Sequence, residues 1–140
     1  MAIERTLTII KPDAVAAGHL GDIIRIFEAN DFKIVAARLV NLTKKEAEGF
    51  YAVHRGKPFF ESLTTFMSSG RALVVVLEGE QVISRLREVM GATNPANAAA
   101  GTIRQLYATS IERNAVHGSD APETAAYEIG YFFRGVDLAF

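Results

Sequence analysis

Histidine is scarce in this chain, occurring only at His19, His54 and His117, and the last of these sits where chemistry could be done. His117 lies in the run Asn114-Ala115-Val116-His117-Gly118-Ser119-Asp120, directly before the start of a capped helix. A neutral imidazole is a competent nucleophile near neutral pH when one ring nitrogen is held by an acceptor. Glu123 and Glu128, on the helix that follows, are the candidate acceptors. Gly118 beside the ring would let a bulky anion approach the backbone, and the helix N-terminus offers N–H groups suited to phosphate. The same residues also read as a histidine that closes a strand end.

Phosphoryl transfer asks a protein mainly for positioning and positive charge around the phosphates. The sequence offers Lys11 at a strand end, Arg87 on a helix, Arg104 in a long loop, and His54 with Arg55. The planar fork of arginine matches phosphate oxygens, which favours Arg87 and Arg104. Taken singly, each cation also reads as a solvated surface charge contributing under about 1 kcal/mol to the fold. Tyr51 and Thr93 could donate hydroxyl hydrogen bonds, or could serve helix packing and loop capping. Phe59, at a helix start, could stack on a base or belong to the core. No GxxxxGK[ST] run and no GxGxxG after a strand occurs, so any nucleotide must be held by side chains and handled by histidine chemistry.

These residues need elements to position them. Arg5–Ile10 reads as a strand ended by Lys11-Pro12, since proline lacks the N–H a central ladder needs. Leu20, Ile23, Ile24 and Phe27 have helical spacing, and Lys33–Asn41 alternates Val35, Ala37 and Leu39 onto one half-buried face. Thr43 with Glu46 forms a capping box for a short helix carrying Phe50, Tyr51 and His54 near its end. Phe59, Phe60, Leu63, Phe66 and Met67 make another helix before Gly70. Ala72–Leu77 is an apolar run too short for a helix and so a central strand, followed by a helix through Val82, Ile83, Leu86, Val89 and Met90 that Gly91 stops. Residues 91–114 read as one long loop, of the kind that in a compact domain is functional or disordered. Asp120-Ala121-Pro122-Glu123 caps a last helix bearing Ala125, Ile129, Phe132 and Phe133. With a short strand at Ala115-Val116-His117, the expectation is an α+β, ferredoxin-like βαββαβ sandwich: a four-stranded antiparallel sheet covered by helices.

Composition bounds the rest. The 140 residues, 22% of them charged, suit one soluble domain over 1–140 and not two. Fifteen basic residues balance sixteen acidic ones, so no net field favours nucleic acid or membrane, and an anionic ligand needs a local basic cluster. The absence of cysteine excludes disulfides and thiolate metal sites. The opening MAIERTLTIIKPD has too short an apolar run for a signal peptide, and no stretch approaches a membrane span, so a cytoplasmic protein is expected.

Four segments, ERTLTIIKPDAV, FYAVHRGKPFF, GATNPANAAAGTIR and NAVHGSD, resemble the blocks of the nucleoside diphosphate kinase family in that family's order, from Glu4 to about Phe133. NxxHGSD paired with an upstream TxIKPD is a specific combination. The resemblance implies that His117 is the nucleophile that becomes phosphohistidine, that Glu128 orients its ring and that Ser119 helps by hydrogen bonding. It implies that Tyr51, His54, Arg87, Thr93 and Arg104 surround the phosphates, and that Lys11 and Asn114 reach the sugar hydroxyls as well as steering phosphate. Phe59 and Ile111 would clamp the base without reading its edges, giving broad base tolerance. Magnesium would be held mainly by nucleotide phosphates and water rather than by a protein cage. The implied reaction is a ping-pong exchange of a γ-phosphoryl group between ATP or another NTP and an NDP, with no nucleic acid required. The implied assembly is a homo-oligomer, a tetramer or hexamer built from dimers.

Small departures are Arg71, where many members have proline, Ala121 for a frequent serine, and the uncharged Ala98-Ala99-Ala100. Two rival readings stand beside the resemblance. A histidine phosphatase also forms phosphohistidine but sets it in an Arg-His-Gly context, whereas Val116 precedes His117 here. A non-catalytic ferredoxin-like module would bind nucleotide or a partner without transfer.

Overall fold

Residues 3–138 are described by a computed structural model. Its strands are β1 (Ile3–Ile10), β2 (Lys33–Asn41), β3 (Arg71–Glu80) and β4 (Val116–Gly118), and its helices are α1 (Pro12–Ala16), α2 (Leu20–Ala29), α3 (Lys44–Phe50), α4 (Phe60–Met67), α5 (Val82–Met90), α6 (Ile103–Tyr107) and α7 (Pro122–Phe132). The sheet runs β2-β3-β1-β4 with every neighbouring pair antiparallel, as the βαββαβ expectation requires.

Both faces of the sheet are covered, which explains why the central strand β3 is continuously apolar instead of alternating. On one face Leu7, Ile9, Val74 and Val76 meet Phe50, Tyr51, Phe66, Met67, Phe132 and Phe133 from the α3, α4 and α7 side. On the other, Ile10, Val75, Leu77 and Val116 meet Ile23, Phe27, Leu86, Met90 and Ile103 from α2, α5 and α6.

Several expectations are corrected. In β2 a bulge between Ile34 and Ala36 breaks the alternation. Val35 therefore joins the core beside Ala36 and Val40, while Ala37 is exposed and Leu39 is 54% exposed. Tyr51 and His54 lie beyond the end of α3, as its C-cap and in a following 3-10 turn, although the Thr43–Glu46 capping box forms as expected. Residues 91–114 are not one irregular loop: they contain a 3-10 turn at Pro95–Asn97 and the helix α6, capped by Thr102. Asp120 does not cap α7; its N-cap is Ala121, which makes no side-chain cap bond. Pro12–Ala16 forms a helix that the strand-stopping reading of Lys11-Pro12 left out.

Candidate active site

Antiparallel pairing of β1 with β4 sets the site. Ile9 lies opposite His117 and Ile10 opposite Val116, so the residues just past β1 meet those just before β4. Thr8 Oγ1 donates to the His117 carbonyl at 2.7 Å and fixes the strand at the histidine itself. Alternation then points the His117 ring to the α3–α7 face of the sheet and residue 118 to the α5 face. A Cβ at Gly118 would lie 2.9 Å from Met90 Cε and 3.2 Å from Leu86 Cδ2. The glycine is therefore required by helix packing against β4, a correction to the expectation that it opens space for an anion.

On its own face the imidazole is held from three sides. Nε2 is 2.8 Å from Glu128 Oε1, and the same oxygen accepts a hydrogen bond from Ser119 Oγ at 2.7 Å. Phe50 and Tyr51 set their rings edge-on to the imidazole, with centroids 5.4 and 5.9 Å away. Glu128 is thus the acceptor, and Glu123, the alternative, sits in the first turn of α7. With Nε2–H donated to a carboxylate, the lone pair of the neutral ring is on Nδ1, which has no hydrogen-bond partner among the described residues.

Behind the histidine lies a buried polar cluster. Lys11 Nζ donates to Asn114 Oδ1 at 2.7 Å, and Asn114 Nδ2 donates to the Thr93 carbonyl at 3.2 Å. Arg104 donates to three carbonyls, those of Gly91, Val116 and Asn114, at 2.9, 2.9 and 3.4 Å. Lys11, Asn114 and Arg104 are 6%, 3% and 7% exposed, so Lys11 and Arg104, read singly as solvated surface charges, are in fact buried. Burial pushes the Lys11 ammonium down from 10.5 to about 8, helped by the Arg104 charge and opposed by Asp13 and Glu112. Burial, with Arg87 nearby, brings Arg104 down to about 10, so it stays charged at neutral pH.

Arg87 and Arg55 match the surface reading: both are exposed, and Arg87 makes one long bond to the Gly118 carbonyl at 3.4 Å. Thr93 is exposed and enters the cluster through its carbonyl. His54 stacks on Tyr51 at 6.1 Å and meets the edge of Phe59 at 5.2 Å. Partial burial, then Lys57 and His117, hold the His54 imidazolium below its usual range. Tyr51 is 5% exposed and its hydroxyl is buried without a hydrogen-bond partner, its phenol pushed up by burial and by Glu128. Phe59, read alternatively as core, is 47% exposed, and Ile111 is 60% exposed. Ser62 Oγ donates to Glu112, tethering the turn that carries Ile111 to α4, just after Phe59.

Two contributors were missed in the sequence. Ala115 has φ +73° although it is not glycine, and Val116 N donates to the Asn114 carbonyl across it at 2.8 Å. That is a tight, strained γ-turn immediately before the histidine strand. Asp13 holds it, accepting from Ala115 N at 3.1 Å through Oδ2, while Lys11 N donates to the Ala115 carbonyl at 2.8 Å. The aspartate of Lys11-Pro12-Asp13 was visible, but nothing local revealed that its partner lies a hundred residues away.

Known proteins resemble this chain along nearly its whole length. The family model for nucleoside diphosphate kinase matches residues 4–138. The nucleoside diphosphate kinase of Nitrosospira multiformis is 62% identical over 138 residues, covering 99% of this chain and 98% of that one. That of Nitratidesulfovibrio vulgaris strain Hildenborough is 60% identical over 136 residues, covering 97% and 98%. The crystal structure of the Aquifex aeolicus nucleoside diphosphate kinase superposes with a TM-score of 0.97 at 45% identity, covering 99% of this chain and all of that one. A halophilic nucleoside diphosphate kinase from Halobacterium salinarum, solved in complex with CDP, gives 0.95 at 36% identity, covering 99% and 93%.

Proposed function

This chain belongs to the nucleoside diphosphate kinase family, and we propose that it carries out that family's phosphoryl exchange through Nδ1 of His117. The observation that carries the assignment of the atom is the Glu128 bond to Nε2, which leaves the Nδ1 lone pair for attack. In the first half-reaction Nδ1 forms a bond to the γ-phosphorus of an NTP, the bond from that phosphorus to the β–γ bridging oxygen breaks, and NDP departs with the electron pair. The ring gains positive charge as this happens, and the Glu128 carboxylate on Nε2–H stabilises it, as a carboxylate does for any catalytic imidazole. A second NDP then takes the phosphoryl group by the reverse step.

Lys11, Arg87, Arg104 and His54 supply the charge around the phosphates. Arg104 uses three of its five N–H groups on backbone, leaving two for a ligand. The unpartnered Tyr51 hydroxyl is the clearest sign of an expected polar ligand, because a buried hydroxyl without a partner costs free energy. Asn114 and Lys11 serve the sugar side, and the exposed Phe59 and Ile111 the base. A slot of this kind reads no base edges, so ATP and the other NTPs and NDPs are all accepted. The CDP held by the Halobacterium relative is one nucleotide of that class. The site's donors are mostly cationic or neutral, a set suited to phosphate oxygens. Magnesium would be held mainly by the nucleotide phosphates and water, where it would offset their charge.

The same proposal has one domain over 1–140 working in the cytoplasm, assembled as a tetramer or hexamer built from dimers. No helix among the described residues is long and apolar enough to cross a membrane, and β2 is an edge strand of the sheet. Sedimentation gives the subunit number.

The test of the nucleophile is labelling with ATP alone. Acid-labile, base-stable phosphate should accumulate on the protein and pass to GDP, and His117→Ala should abolish it. Label that survives acid, or that persists in His117→Ala, overturns the assignment; release of the label to water instead of GDP would favour the phosphatase reading.

A further inference from the structure

We propose that Tyr127 and Tyr131 are positioning residues for phosphoryl transfer: they pin α3 to α7 and thereby hold Tyr51 and His54 in place over His117. The inference rests on His117 as the nucleophile. Tyr127 Oη donates to the Gly49 carbonyl at 3.0 Å and Tyr131 Oη to the Glu46 carbonyl at 2.7 Å, bridging 78 and 85 residues of sequence. The two rings are 54% and 37% exposed, so burial of hydrophobic surface is a poor account of why aromatic side chains stand there. Their hydroxyls are spent on the backbone of one short helix.

Gly49 completes the fit. A Cβ on it would lie 2.4 Å from Tyr131 Oη, so the hydroxyl occupies the space a side chain would take. Contact then passes inward: Tyr131 meets the edge of Phe50 at 5.7 Å, and Phe50 meets the edges of Tyr51 at 4.8 Å and His117 at 5.4 Å. The same helix carries Glu128, which holds the His117 ring. One helix therefore both orients the nucleophile and fixes the segment that covers it. A fixed connection is needed because α3 has only seven residues, too few to hold its own geometry without tertiary contacts. Displacements of about 1 Å at a reacting centre can cost on the order of a hundredfold in rate.

The test is the single-turnover rate of His117 phosphorylation by magnesium-ATP in the full chain. Tyr127→Phe with Tyr131→Phe keeps both rings and removes both hydroxyls; the rate should fall about tenfold, with ATP affinity changed less than about threefold. Gly49→Ala should slow the step by colliding with Tyr131 Oη, and adding Tyr131→Phe to it should raise the rate back to that of Tyr131→Phe alone by removing that oxygen. Thr43→Ala is the control, because it removes the capping box from the other end of α3 without touching the tyrosines, and it should leave the rate near that of the parent. A double phenylalanine variant at full rate, or a Thr43→Ala variant as slow as it, overturns the positioning role, as does a Gly49→Ala variant that Tyr131→Phe does not rescue. The acid-lability of the label and the His117→Ala blank are read in the same experiment. Parent protein without label on His117 removes the foundation itself, a result distinct from any ranking among the variants.

Discussion

Lys11 Nζ sits 2.7 Å from Asn114 Oδ1, a buried ammonium resting on a neutral amide, with no carboxylate within ion-pair distance among the described residues. The pair joins the end of β1 to the turn that precedes β4, the strand that carries His117. Its cost is desolvation, which brings Lys11 to about 8 and places its proton within reach of ordinary assay conditions.

Activity should consequently decline on the alkaline side. If Lys11 receives phosphate as proposed, it must be charged to do so, and kcat/KM should fall above about pH 8 as the proton leaves. Lys11→Arg, which keeps its charge, should flatten that limb even if its peak activity is lower. An unchanged limb in Lys11→Arg would assign it to another group. Stability should move the other way. The folded value lies below the ordinary 10.5, so between about 8 and 10.5 the unfolded chain binds more protons. The Lys11 contribution to stability therefore rises with pH through that window, by on the order of 3 kcal/mol. Denaturant melts of the parent against Lys11→Met across the window check the sign.

Arg104 and Arg87 should separate fold from catalysis. Arg104→Ala leaves the carbonyls of Gly91, Val116 and Asn114 without their donor in a buried setting. A loss of about 2–4 kcal/mol is expected, with a melting temperature lower by roughly 5–15 °C. Arg87→Ala removes an exposed side chain and should melt within a few degrees of the parent, while kcat/KM falls about ten- to a thousandfold. Kinetics and calorimetry on both variants decide it; an Arg104→Ala protein as stable as the parent would contradict the buried role.

Glu128→Gln should lower kcat by about ten- to a hundredfold with little change in KM, because the charge opposing the developing imidazolium is lost while the shape is kept. Ser119→Ala should cost only about two- to fivefold, since it removes one neutral donor from Glu128 Oε1. A Ser119→Ala variant as impaired as Glu128→Gln would show that the hydroxyl, not the carboxylate, governs the ring.

Phe59→Ala and Ile111→Ala should weaken all nucleotides together. Stacking a base on an aromatic ring is worth about 1–3 kcal/mol, so kcat/KM should fall about five- to a hundredfold for ADP, GDP, CDP and UDP alike with Phe59→Ala. Melting should hardly change, given that the two side chains are 47% and 60% exposed. A loss confined to one base would mean that the slot reads base edges.

The sequence by itself determined the local features that depend on near neighbours. The Thr43–Glu46 capping box, the Gly91 stop after α5, the apolar run of β3 and the specific NAVHGSD and TIIKPD segments were all legible there, because each is written within a few residues. Together they were enough for the α+β class and the family resemblance. Tertiary structure alone decided what depends on pairing across the chain. It chose Glu128 over Glu123 as the acceptor, because only packing of α7 on β1, the strand beside β4, brings one carboxylate to Nε2. It buried Lys11 and Arg104, which local sequence presents as ordinary cations, because β1–β4 pairing closes backbone carbonyls and Asn114 around them. It also gave Gly118 a packing role and bent Ala115 to φ +73°, since neither the Met90 side chain nor the Asp13 carboxylate is near these residues until the sheet has formed.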